Sequence, residues 1–393
     1  MRSKSRRPDT LLTHAGRAPE DCHGAVNPPV YHVSTILHPS VAQLEYSQKH
    51  RYDHTHYGRF GTPTTFAFEE AVTALEGGHR AIAFCSGAAA CFAALLAYVK
   101  AGDHVLVPDS VYGPVRNFAT HFLQRFGVAA TFYDPLVGAD IVGLIRDETR
   151  VIYLESPGSL TFEIQDVPAI VAIAKARGIA TVFDNTWSSP LFFKPLAFGV
   201  DISVIAATKY IVGHSDAMMG IAVCTEASFP ALREAATLLG NAAAPDDCYL
   251  ALRGLRTAGV RLRQHEAQGL ALARWLAARP EVERVLHPAL PSCPGHELWR
   301  RDFTGASGLF SVVLRREFAK TAVDAMLDGM ELFGMGFSWG GFESLMVPVY
   351  PAWLRSATRW DSGPVLRLHA GLEDLDDLLA DLGAGFDRLH ASA

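Results

Sequence analysis

From residue 81 to residue 208 the sequence keeps returning to one pattern. A short apolar run gives way to a stretch with helical spacing, and another apolar run follows. The runs are "AIAFC" (81–85), "HVLVP" (104–108), "VAATFYD" (128–134), "RVIYLES" (150–156), "ATVFDNT" (180–186) and "DISVIAAT" (201–208). Between them lie "AAACFAALLAYV", "PVRNFATHFLQRFG" and "PAIVAIAKARG" (168–178), which carry apolar residues at helical intervals. A strand that is apolar throughout has both faces covered, and helical crossovers let successive strands lie parallel. The expected fold is therefore α/β, a doubly wound, mostly parallel sheet wrapped by helices.

Outside this block the pattern changes. The first sixty or so residues read as irregular, with Pro28, Pro29, Pro39 and the loop-like "RYDHTHYGRFGTP". A helix is expected in "TTFAFEEAVTALEGG", where Phe68, Ala71, Val72 and Leu75 share a face and Gly77-Gly78 stops it. A long helix is expected from about Asp246 to Arg279, ending at Pro280. After it, "GLFSVVL" (308–314) and "VLRLHAG" (365–371) read as strands, with helices near 317–329 and 373–390. This gives a smaller C-terminal α+β unit, and a division into 1–62, 63–255 and 256–393.

Composition narrows the function. The 393 residues include 35 Lys and Arg against 41 Asp and Glu, a net charge of −6, so no basic nucleic-acid footprint is expected. No uncharged apolar stretch reaches the roughly 18 residues of a membrane span. The basic start "MRSKSRR" has no apolar segment behind it, unlike a secretory signal. Cys22, Cys85, Cys91, Cys224, Cys248 and Cys293 are scattered without a C-x-x-C pair, as expected of reduced thiols in the cytoplasm. His54 and His56 lack companion ligands at metal-site spacing, so no metal is expected.

Ligands of open parallel sheets bind beyond the carboxyl ends of the strands. After "AIAFC" come Ser86 to Ala90, small residues opening a helix, where an anion can meet free backbone amides. After "HVLVP" comes Tyr112, which can be buried filler or a stacking ring. After "ATVF" comes Asp184, an acid that is costly at a central strand end unless partnered. After "DISVIAAT" comes Lys209, in "AATKYIVGHSDAMMG". Taken singly, each has an ordinary structural explanation. Together they supply what pyridoxal phosphate requires: an anion nest, a stacking partner, an acid for the pyridine nitrogen and an amine for the aldehyde. No G-x-G-x-x-G follows a strand, which disfavours a dinucleotide enzyme.

The stretches "YGRFGTPT", "ALEGG", "SGAAA", "LESPGS", "FDNTW", "ATKYIVGHSDAMMG" and "GLRTAGVRLRQH" resemble the Cys/Met-metabolism enzymes, across nearly the whole chain. The resemblance implies the fold-type-I pyridoxal-phosphate scaffold, of the aspartate aminotransferase kind. It implies a Schiff base on Lys209, Asp184 at the pyridine nitrogen, and Tyr112 as stacking and catalytic aromatic. It also implies phosphate contacts from Gly87, Ala88 and Thr208. Tyr57 and Arg59, in the 1–62 arm, match residues that reach a neighbouring subunit's cofactor, with Tyr57 also near substrate. That makes the expected assembly a dimer with shared sites, packed as a tetramer. Arg367 matches the arginine that grips the substrate α-carboxylate, and Ser338 and Trp339 match residues beside the substrate.

Within the family, "LESPGS" and Trp339 in "FSWGGFESL" look most like the bacterial β-lyase branch. The implied reaction is β-elimination from cystathionine to homocysteine, pyruvate and ammonia, a step of methionine biosynthesis. Three letters depart from that branch. Phe60 stands where a second arginine is usual, Asn117 (beside Arg116) where an acid is usual, and Phe337 where a tyrosine is usual. The first two bear on the distal, homocysteine end of the substrate. They leave open a cysteine or S-alkylcysteine β-lyase, a γ-acting relative, or, in another class, a cofactor-binding regulator of a partner protein.

Overall fold

The computed structural model describes residues 6–392, so the first five residues of the basic start lie outside it. Each of the six apolar runs forms a strand: β1 (Arg80–Phe84), β2 (His104–Pro108), β3 (Ala129–Tyr133), β4 (Thr149–Glu155), β5 (Ala180–Asp184) and β6 (Ile202–Ile205). A further strand, β7 (Gly220–Cys224), completes a seven-stranded sheet of order β1-β7-β6-β5-β4-β2-β3. Strands β3, β2, β4, β5 and β6 are parallel, while β7 runs antiparallel to both β6 and β1. The sequence reading missed β7 as a strand. It returns directly from the Lys209 loop with no helix between, so it cannot make the parallel crossover the pattern looked for.

The apolar runs are explained by which cores they serve. Val105 and Val107 face one cluster with Phe84 and Tyr153, whereas Leu106 faces another with Ile152, Leu154 and Phe183. Successive side chains point to opposite faces, so both parities must be apolar. Each such fully buried aliphatic contributes about 1.5–3 kcal/mol.

The C-terminal unit is a four-stranded antiparallel sheet of order β10-β11-β9-β8, built from β8 (Val282–Leu286), β9 (Leu309–Leu314), β10 (Leu345–Val349) and β11 (Val365–His369). The helix Leu375–Ala391 lays Leu378, Leu382, Phe386 and Leu389 on it. The long helix is continuous over Pro245–Ala277. Its Ala251, Leu252 and Leu255 belong to the large-domain core, and its Leu272, Ala273 and Leu276 to the small-domain core. The expected division at 255/256 thus falls inside one continuous helix.

The first sixty residues are not wholly irregular, contrary to the sequence reading. They hold helices at Pro8–His14 and Val41–Lys49. The first is pinned by Arg256, whose Nη1 donates to Leu12 O and Ala15 O at 2.8 Å each, and it buries Leu12. The second, capped by Ser40, buries only Ser47.

Candidate active site

The carboxyl ends of the parallel strands collect the predicted residues at one edge of the sheet. Lys209 follows β6 in a turn closed by Lys209 N–H to Ala206 O (3.0 Å) and Gly213 N–H to Lys209 O (2.8 Å). Its amine donates to Ser338 Oγ at 2.6 Å and lies 5.2 Å from the centre of the Trp339 ring. Burial, and then the Arg367 cation, push its pKa down to about 8; Asp184 opposes the shift. The amine is therefore partly neutral near physiological pH, as a nucleophile or proton acceptor must be.

Asp184 ends β5. Its Oδ1 accepts from Thr186 N (3.0 Å) and Thr186 Oγ1 (2.5 Å), and Cys91 Sγ lies 3.8 Å from Oδ2. Burial raises its pKa, while the Thr186 and Cys91 hydrogen bonds and the Lys209 charge lower it. A buried acid with those partners can hold or release a proton at a ring nitrogen. Glu155, at the end of β4, sits in register beside it. Burial and then the Asp184 charge push Glu155 up to about 8. In the sequence Glu155 lies within "RVIYLES" and "LESPGS" with no role attached to it. Its signal was the same as that of Asp184, an acid closing an apolar strand.

Glu155 fixes Tyr112. Tyr112 N–H donates to Glu155 Oε2 at 2.7 Å, and Ser159 Oγ donates to Oε1 at 2.5 Å. Tyr112 is 42% exposed, so it is not core filler. Burial, then the acids and thiol around it, raise its pKa, against the pull of Arg367. Its phenol stays protonated near neutral pH.

Ser338, Trp339 and Arg367 converge from the small domain. Arg367, in β11, donates from Nη2 to Ser338 O at 3.2 Å. His369, two residues on and so on the same face, places Nε2 3.1 Å from Gly340 N and 3.2 Å from Gly341 O. Burial pushes His369 down to about 3, so it is neutral. Ser338 has φ +82° and Gly340 φ +87°. A Cβ at Gly340 would lie 2.9 Å from Lys209 C, so glycine is required there by both conformation and contact. Trp339 packs against Tyr210 at 5.3 Å between ring centres.

The anion nest is also present. Ser86 caps the helix Gly87–Leu96 by accepting from Ala89 N, which leaves the amides of Gly87 and Ala88 in the unpaired first turn. The helix start is pressed on its neighbours: a Cβ at Gly87 would lie 2.5 Å from Ala206 Cβ, and one at Gly220 2.1 Å from Ser86 O. Thr208 Oγ1 bridges Met219, donating to its O (3.1 Å) and accepting from its N (2.9 Å).

Tyr57 and Arg59 are not brought to this cluster. Tyr57 bridges to Thr35, and Arg59 donates to Thr237 O at 3.1 Å. Nor does Arg116 offer its charge to a ligand. Its guanidinium is bound to Asp109 and lies 3.8 Å from the centre of the Phe132 ring. Among the described residues no group of three or more His, Cys, Asp or Glu is arranged to hold a metal. A cleft of about 510 Å³ lies elsewhere, between Phe318, Val349, Trp353 and Trp360, and holds none of these residues.

The lysine, the buried acid, the exposed ring and the first-turn amides fit an anionic, aromatic aldehyde. Comparison with known proteins agrees. The sequence model of the family described as "Cys/Met metabolism PLP-dependent enzyme" matches residues 9–387. A putative cystathionine beta-lyase of Rhizobium johnstonii is 49% identical over 381 residues, 96% of this chain and 95% of that one. Cystathionine beta-lyase MetC of Escherichia coli is 46% identical over 388 residues, 97% and 98% of the two chains. The crystal structure of metB from Corynebacterium glutamicum superposes with a TM-score of 0.90 at 31% identity, covering 98% of this chain and 99% of that one. The chain is a member of the Cys/Met-metabolism family of pyridoxal-phosphate-dependent enzymes, on the fold-type-I scaffold.

Proposed function

We propose that the protein is a cystathionine β-lyase, releasing homocysteine, pyruvate and ammonia. The observation that carries this reading is the Lys209 amine, brought to a pKa of about 8 between Arg367 and Ser338 at the edge that also bears Asp184. Relatives that carry the same activity in their names, over nearly the full chain, support it. Bound pyridoxal phosphate supplies an aldehyde for an amine and a ring that accepts electrons from Cα.

Lys209 would be the covalent anchor of that group, and its Nζ, once the substrate amine has displaced it from the aldehyde carbon, would take the α-proton from the substrate. Asp184 holds a proton at the ring nitrogen, and Tyr112 covers the ring face. The Gly87 and Ala88 amides hold the phosphate. Thr208 joins them by turning its hydroxyl from Met219 O. Arg367 holds the substrate α-carboxylate with the donors that Ser338 O leaves free, as a planar fork suits. Ser338 steadies Nζ, Trp339 walls the substrate, and the protonated Tyr112 hydroxyl faces the departing sulfur.

Tyr57 and Arg59 serve a neighbouring subunit, in a dimer packed as a tetramer. The arm that carries them supports this: Leu37 is 88% and Val41 71% exposed within one chain, surface that a second subunit can cover. The proposed compartment is the cytoplasm, in keeping with four buried cysteines left unpaired. No helix among the described residues is long and apolar enough to cross a membrane.

Incubation with cystathionine tests the reaction. Pyruvate with homocysteine is expected; 2-oxobutyrate with cysteine would assign a γ-lyase instead. Lys209→Ala should lower turnover by orders of magnitude, because one residue serves as anchor and base.

A further inference from the structure

The Asp109 carboxylate is used up by one loop of the other domain together with Arg116. Its side chain has no exposed surface. Oδ2 accepts from the amides of Ser356 (3.1 Å), Ala357 (3.0 Å) and Thr358 (2.8 Å) and from Thr358 Oγ1 (2.8 Å). Oδ1 accepts from Ser356 N (2.9 Å), Ser356 Oγ (3.1 Å) and the Arg116 guanidinium. Burial raises its pKa, but the Ser356 and Thr358 hydrogen bonds and Arg116 outweigh it and hold the carboxyl below its usual value. A group so enclosed cannot touch a substrate. It holds other groups in place.

What it holds matters for the site. Asp109 lies three residues before Tyr112. The loop it grips runs from Pro351 to Thr358 and feeds, through "RWDSGP" (359–364), directly into β11 and Arg367. The same loop is tied again by Arg355, which donates to Glu163 Oε1 at 2.6 Å and to Thr161 Oγ1. The 159–163 segment in turn reaches Glu155 through Ser159, and Glu155 holds the Tyr112 amide. Tyr112 and Arg367 feel each other's charge across the site.

We propose that Asp109 is a positioning residue: by clamping the 351–358 strap of the small domain to the segment that carries Tyr112, it sets the Tyr112–Arg367 spacing that an amino-acid substrate bridges. The proposal rests on the reading that Arg367 takes the substrate carboxylate while Tyr112 lies over the reacting end. Two walls carried by different domains need a fixed separation, and this clamp joins them from the side of the strap.

Asp109→Asn tests it in the holoenzyme. The amide keeps the volume of the carboxyl but turns an NH2 group on a crowd of donors. Exchange of the Ser356, Ala357 and Thr358 amides with deuterium should speed up at least tenfold. The Kd for 2-aminoisobutyrate, which has the amine and carboxylate but no α-hydrogen, should rise, read by visible absorbance. The kcat/KM for cystathionine should fall about 100-fold, the cost of a misplacement of about 1 Å. The absorbance of the ligand-free cofactor should not change. The double variant Ser356→Ala/Thr358→Val removes two donors, keeps Asp109 paired with Arg116, and should move the same quantities less far. It decides the matter if the Asn variant does not fold. Unchanged amide exchange overturns the clamp. Faster exchange with unchanged Kd and KM overturns the positioning role. If the parent enzyme releases no pyruvate from cystathionine, the lyase reading falls, while the 2-aminoisobutyrate Kd still decides the role of Asp109.

Discussion

The Lys209 amine can be tested before any substrate is added. Its pKa is brought from an ordinary 10.5 to about 8. At pH 7 about one lysine in ten is then neutral, against roughly one in 3,000 at the ordinary value, a ratio of about 300 and about 3 kcal/mol of differential stabilisation. Burial is the largest cause and the Arg367 cation the next, with Asp184 acting the other way. Replacing Arg367 by Gln removes a like charge, so the pKa of Lys209 rises. Because burial, the larger cause, remains, the pKa should stay below the ordinary 10.5 and the neutral fraction at pH 7 should fall less than about 300-fold. Replacing Asp184 by Asn removes an attractive charge, so the pKa falls and the neutral fraction grows. The assay is acylation of the cofactor-free protein across pH 6–11, with peptide mass spectrometry following Lys209 beside an exposed lysine such as Lys100. The parent should show a half-point near 8 at Lys209. If both substitutions move that half-point in the same direction, or Lys209 titrates with Lys100, the electrostatic account of the site is wrong.

Three further outcomes follow from other parts of the fold. Burial, against Ser203, Lys194 and Asn185, pushes buried Glu76 up from 4.5 to about 8. An acid that keeps its proton only when folded contributes fully below pH 4.5 and loses that contribution as pH rises to 8, at most about 5 kcal/mol over the window. Glu76→Gln should therefore melt with the parent at pH 5 and increasingly above it toward pH 8, by differential scanning fluorimetry. Gly340→Ala forces a side chain into a positive-φ site against Lys209 C, a strain of about 1–3 kcal/mol; kcat should fall tenfold or more, with slower cofactor uptake read by absorbance. Tyr112→Phe should retain cofactor absorbance and lose kcat, because the ring remains and the protonated hydroxyl does not.

What was legible in the sequence is what the chain writes locally. Lys209 and Tyr112 follow apolar runs and Asp184 closes one, so the strands before them also announce them. The rest depends on contacts the chain makes at long range. β10, with Pro348 inside it, has no clean alternation, and pairing with β11 makes it a strand. Glu155 reads as one more acid until β5 sets Asp184 beside it. Arg116 shows the same limit at the level of a single letter. Next to Asn117, at a position where an acid is usual, it read as a change in what the distal end of the site recognises. In the fold its charge is spent on Asp109 and its face on Phe132, and Ser356 completes its partners. The Arg116 charge is therefore not free for a ligand. Sequence reads the charge of a residue, but only the fold shows whether that charge is still free to be used.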